Sequence, residues 1–128
     1  MVSRNVAATD VAVVTVGTVH VGTKENIISD RAELGLSIRT FEPAVRDRVR
    51  ASVERIVHGV AHTHGSPKPP EIDVRYSFPP LVNDDAATAT VTDAFTAHFG
   101  SHRMVPGPLV TASEDFGFFG DRGGFPSV

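Results

Sequence analysis

Between residues 31 and 39 polar and apolar side chains alternate without a break. Ala32, Leu34, Leu36 and Ile38 fall between Arg31, Glu33, Gly35, Ser37 and Arg39. A strand turns successive side chains to opposite faces, so this run is a strand with one apolar face and one polar face. The run before it, Ala12 to Val21, is rich in β-branched residues, which suit a pleated, half-buried surface. A hinge, Gly22-Thr23-Lys24-Glu25-Asn26-Ile27-Ile28-Ser29-Asp30, joins the two. Whatever else the chain builds must cover the apolar side of this pair. Arg39 points away from that side, at the strand's exit. A guanidinium there is suited to gripping a carboxylate bidentately, although alternation alone favours a solvated surface arginine.

The next segment supplies a cover. Glu42 and Pro43 open a helix, with proline tolerated in the first turn because its missing N–H has no partner there. Val45, Val49, Val53, Ile56, Val57 and Val60 recur at helical spacing with charged residues between them. That is an amphipathic helix laid on a sheet. It should stop near His64-Gly65, where glycine can take a left-handed cap, before Pro67. Ser66-Pro67-Lys68-Pro69-Pro70 is a stiff connector. Ile72 to Phe78 alternates as a third strand, ended by Pro79-Pro80, which cannot donate to a ladder. Asn83 or Asp84 can cap a further helix that carries Ala87, Val91, Ala94, Phe95 and Phe99 and ends at Gly100. Leu109-Val110 reads as a short strand, and Phe125 to Val128 as the start of another.

The chain has 128 residues, 41% hydrophobic and 21% charged, the size of one ordinary domain and the composition of a soluble globular protein. Its formal net charge of −3 gives no reason to expect nucleic acid or an anionic membrane as partner. With no cysteine, disulfides and thiolate metal sites are excluded. No apolar run has the length of a membrane helix, and the first residues lack a signal-peptide layout, so the cytoplasm is the default expectation.

Few constellations suggest chemistry. His58 and His62 stand one helical turn apart with His64 nearby, but the zinc-protease arrangement needs a glutamate after the first histidine, where this chain has Gly59. Histidines near a helix C-terminus are also favoured by the helix dipole, and that plainer reading prevails. His20, in the first strand, reads as a solvent-facing strand residue. Asn26 has an amide able both to donate to and accept from a ligand, and is equally at home in a turn. Ser113-Glu114-Asp115-Phe116 offers two adjacent carboxylates. They suit proton transfer or the orientation of a metal ligand, or else simply a helix start capped by Ser113.

Three of these stretches carry a resemblance. Val16 to Asp30 with Ala32-Glu33-Leu34 and Ile38-Arg39-Thr40-Phe41, then Pro79-Pro80-Leu81-Val82-Asn83-Asp84, then Ser113 to Phe116, resemble in order the zinc-dependent amidohydrolases. This is the family of hippurate hydrolase, aminoacylase and auxin-conjugate hydrolase. Ser29 stands where the family has proline, a softer corner. The resemblance implies an α+β fold, a two-layer α/β sandwich. It would comprise an incomplete ferredoxin-like βαββαβ lid over residues 1–83 and a returning part of the catalytic domain over 84–128. One strand and most of a helix of that lid would precede Met1.

The resemblance also implies a function: hydrolysis of the amide of N-acyl amino acids such as hippurate. Asn26 and Arg39 together would grip the substrate carboxylate, and Glu114 and Asp115 would lie near the active site. The lid would form a homodimer through a sheet edge. Zinc or another divalent metal belongs to the intact enzyme, but its ligands match nothing here. The chain alone is therefore expected to bind no metal, to carry no catalytic residue and to be inactive. The rival reading is a non-catalytic ferredoxin-like binding module, against which the segment from Asp84 onward argues, since it belongs to a second domain.

Overall fold

A computed structural model describes residues 1–112 and 114–128. Helices accompany a two-stranded antiparallel sheet, so the chain is of the expected α+β class. It divides into two compact units, Met1–Asp73 and Val74–Val128. No helix among the described residues is long and apolar enough to cross a membrane.

The first unit is a hairpin with a helix across it. Strand β1 (Ala12–Val21) pairs antiparallel with β2 (Ala32–Thr40). From Ala12↔Thr40 to Val16↔Leu36 the register is regular; it then slips by one, so that Thr18 faces Gly35 and Val21 faces Ala32. Gly17 is the extra residue of a β-bulge. The slip has a clear cause in the sequence. In an unbroken strand Val14 and Val16 would lie on one face and Val19 and Val21 on the other. The bulge brings all four valines to the side that carries Leu34, Leu36 and Ile38. A Cβ at position 17 would make only an ordinary 4.0 Å contact with the Gly35 carbonyl oxygen, whereas one at Gly35 would collide with the Thr18 hydroxyl, so the bulge is paired with an obligatory glycine on β2.

Helix α2 (Pro43–Thr63) covers one end of this apolar side. Val45 is 5% exposed and Val49 fully buried, with Ser52 beside them. The Ser52 hydroxyl is satisfied by donating to the Arg48 carbonyl (2.8 Å). Full burial of a valine contributes about 1.5–3 kcal/mol. The helix ends as expected, with Gly65 at φ +65° and the amides of His64 and Ser66 donating to the carbonyls of Val60 and Ala61. A short helix α1 (Val2–Asn5) is fastened to α2 by a hydrogen bond from Arg55 Nη2 to Asn5 Oδ1 (3.1 Å), and Arg48 pairs with Asp10 at 3.6 Å. Beyond this end the apolar side is open: Val19 is 58% and Val21 60% exposed.

The second unit holds α3 (Asp85–Phe99) and α4 (Gly117–Gly123). Of the two cap candidates, Asp84 caps α3, accepting from the Ala87 amide at 2.8 Å, while its own amide donates to the Ser127 carbonyl. Gly117 is buried against Pro79 and Pro80, where a Cβ would come within 3.3 Å of both. Phe118 stacks against Phe78 at 6.0 Å and carries the Arg122 guanidinium 4.0 Å above its ring.

Three expected strands are corrected. Residues 72–78, 109–110 and 125–128 belong to no ladder, and the described sheet has two strands, so no ferredoxin-like order is formed among the described residues. Alternation creates a face but not a hydrogen-bonding partner, and a strand requires both. Helix α4 forms in a glycine-rich segment, which helix propensity by itself disfavours. The units divide after Asp73, earlier than the boundary expected at 83.

Candidate functional site

The side of the hairpin turned away from α2 is polar. The register assigns to it Arg31, Glu33, Ser37 and Arg39 from β2 and Thr15, Thr18 and His20 from β1, with His20 opposite Glu33. Arg31 pairs with Glu33 at 3.4 Å in an exposed geometry of the kind that adds little stability. Arg39 is exposed opposite Val13, next to the half-buried Ile38 and Thr40. Alternation had placed its side chain correctly.

Asn26 lies in the hinge, in a turn closed by the Ile27 amide donating to the Lys24 carbonyl (3.3 Å). No non-glycine residue among those described has positive φ, so Asn26 takes the turn without left-handed backbone. Ser29, at the position where the family has proline, fixes the corner by hydrogen bonding. Its hydroxyl donates to the Arg31 carbonyl (2.7 Å) and accepts from the Arg31 amide (3.3 Å). The signal for this was present, since serine two residues before a strand forms such turns.

The structure does not bring the two expected substrate residues together. β2 leaves the hinge at Ala32 and reaches Arg39 seven residues later, roughly 23 Å at about 3.3 Å per residue. Within one chain Asn26 and Arg39 therefore mark opposite ends of the hairpin.

Glu114 and Asp115 are exposed in the second unit, just before α4. The Asp115 carbonyl accepts from the Phe118 amide (3.0 Å), so the pair leads into a helix, as the structural alternative held. The cap expected of Ser113 lies outside the described residues. His58 and His62 are exposed on α2, and His64 forms its C-cap. No group of three or more histidine, aspartate or glutamate side chains among the described residues is placed to hold a metal ion. The described residues thus do not fit the metal centre that the resemblance attributes to the intact enzyme.

Comparison with known proteins places this geometry in a class. No family model matches the chain. Individual relatives do match, along nearly its whole length, and they are hydrolases. An uncharacterized hydrolase of Sinorhizobium fredii is 33% identical over 93% of the chain and 29% of its own length. An N-acetyldiaminopimelate deacetylase of Anoxybacillus flavithermus is 31% identical over 92% of the chain and 30% of its own length. An N-acetyl-L-cysteine deacetylase of Bacillus subtilis is 31% identical over 93% and 28% respectively. Both named reactions cleave an acetyl amide. The chain's relatives are hydrolases of the amidohydrolase family, and it spans less than a third of their length.

Proposed function

We propose that the chain serves an amidohydrolase acting on N-acyl amino acids, to which it contributes substrate-carboxylate recognition and self-association rather than the bond-breaking centre. The observation that carries this reading is the alignment of more than nine-tenths of the chain with deacetylases of N-acetylated amino acids. Arg39, exposed at the exit of β2, is the residue for the carboxylate, because a guanidinium matches two carboxylate oxygens at once. Asn26, in the hinge, is the second residue by which the lid would grip the substrate. Glu114 and Asp115 lie near the reacting centre of the assembled enzyme.

In the intact enzyme zinc or another divalent ion would polarise the amide carbonyl for attack by water. Self-association is supported by the outer edges of the hairpin, which among the described residues pair with no further strand. Unpaired edges recruit a second chain. The assembled enzyme would act in the cytoplasm.

The test has two arms. Titration of the chain with N-acetyl amino acids, followed by NMR shifts, is expected to show weak binding. That binding is lost when the ligand carboxylate is amidated or when Arg39 is replaced by Ala. Zinc-supplemented hydrolysis of the same compounds by the chain alone is expected to show no turnover. Binding indifferent to both the amidation and Arg39→Ala would remove the recognition role, and turnover would show that the chain carries a centre of its own.

A further inference from the structure

We infer that His58 and His62 form a two-point chelate for a divalent transition-metal ion, of the nickel, copper or zinc kind, on the open face of α2. This is separate from the amidohydrolase reading and does not depend on it.

Residues four apart on a helix stack one above the other, with Cβ atoms about 5–6 Å apart. Two imidazoles on such a step reach a single ion at bond lengths of about 2.0–2.1 Å. The helix beneath them is regular. It runs unbroken from Pro43 to Thr63. Its last turn is tied by the Thr63 hydroxyl donating to the Gly59 carbonyl (2.8 Å) and by the His64 amide donating to that of Val60 (3.1 Å).

The approach is also clear. Both histidines are exposed, and among the described residues neither side chain makes a hydrogen bond, ion pair or ring contact. A Cβ built on Gly59, directly after His58, would meet nothing within 4 Å. Glu54, one turn before His58 on the same stripe, adds negative charge that favours a cation. The nearby Arg55 guanidinium is engaged by the Asn5 side-chain oxygen at 3.1 Å.

Gly59 in place of a glutamate rules against a zinc-protease centre, but not against this site. Two imidazoles are a sufficient foothold, and water would complete the coordination. Imidazole donors suit nickel, copper and zinc, with affinity rising toward copper, whereas calcium and magnesium prefer oxygen.

The experiment is calorimetric titration of the untagged full chain with Ni²⁺ in a non-coordinating buffer, with helicity checked by circular dichroism. Saturable uptake of one ion is expected. His58→Ala and His62→Ala should each weaken it at least fivefold, and His64→Ala should leave it within twofold. A second readout is thermal unfolding: Ni²⁺ should raise the midpoint of the parent chain and of His64→Ala, but not that of the other two variants. Absence of saturable uptake overturns the inference. So does less than fivefold weakening in either variant of the pair, or a loss in His64→Ala that would make His64 a ligand.

Discussion

Val49 is the residue on which the first unit most depends, because it is fully buried while most of the valines around the hairpin are half covered or exposed. Truncation removes two methyl groups from a site with little room to collapse. Val49→Ala should therefore cost about 2 kcal/mol in urea unfolding of the chain. The same change at Val60, 55% exposed, should fall within about 0.5 kcal/mol. This difference was only partly legible in the sequence. Val45, Val49, Val53, Ile56, Val57 and Val60 form one stripe by spacing, and nothing in that spacing says that burial fades along it. Burial depends on how far the helix stays over the sheet, which is a tertiary matter. Arg39 was legible, since period-two alternation fixes its face whatever lies across the sheet. Its separation from Asn26 was legible too, since the strand read over residues 31–39 lies between them.

At the scale of elements, the bulge at Gly17 is the clearest device. It adds one residue to β1 and leaves every later pair correctly faced. Deleting Gly17 should therefore be tolerated: Thr18 would still face Gly35 and Val19 would still face Leu34, now in an unbroken ladder. We expect the deletion to keep the far-ultraviolet spectrum and to shift stability by no more than about 1 kcal/mol. Inserting a second residue at that point should turn Val19 and Val21 to the polar side and lower stability well beyond this. The sequence signalled both strands and α2 through composition and period. It did not signal the bulge, since a lone glycine among β-branched residues has several readings. It signalled the start of α4 only as one of two readings of Glu114-Asp115, since the helix itself contains three glycines that disfavour it. Contacts of Phe118 and Gly117 with Phe78 and the two prolines support α4 in spite of that. Ile72 to Phe78 failed in the opposite sense, with good local alternation and no partner.

For the whole molecule, the exposed apolar side of the hairpin matters most. Val16, Val19, Val21, Leu34 and Leu36 are all more than two-fifths exposed. Contiguous apolar surface of this kind marks a place of association. Sedimentation equilibrium should find species heavier than the 13.6 kDa chain, and Val19→Lys should shift the distribution toward monomer without loss of helix signal. A clean monomer for the parent chain would count against association. The family, rather than the site, was the most legible property at this scale. Short ordered matches survive in sequence when their spatial arrangement does not show.

The order hinge, hairpin, helix also bears on how the first unit comes to form. Each of its main contacts joins neighbours along the chain: β1 with β2 across a short hinge, then α2 with the strand that leads straight into it. Closing such short loops is entropically cheap, and chains rich in local contacts fold fast. The hairpin can zip as soon as Thr40 is available, and α2 can settle on it without waiting for any residue of the second unit. The Ser29 corner, held by the two hydrogen bonds to Arg31, makes that first encounter more probable by turning the chain back before any strand has paired. A serine in the place of a proline therefore leaves this turn free of slow prolyl isomerisation, and early pairing runs at the speed of ordinary bond rotation.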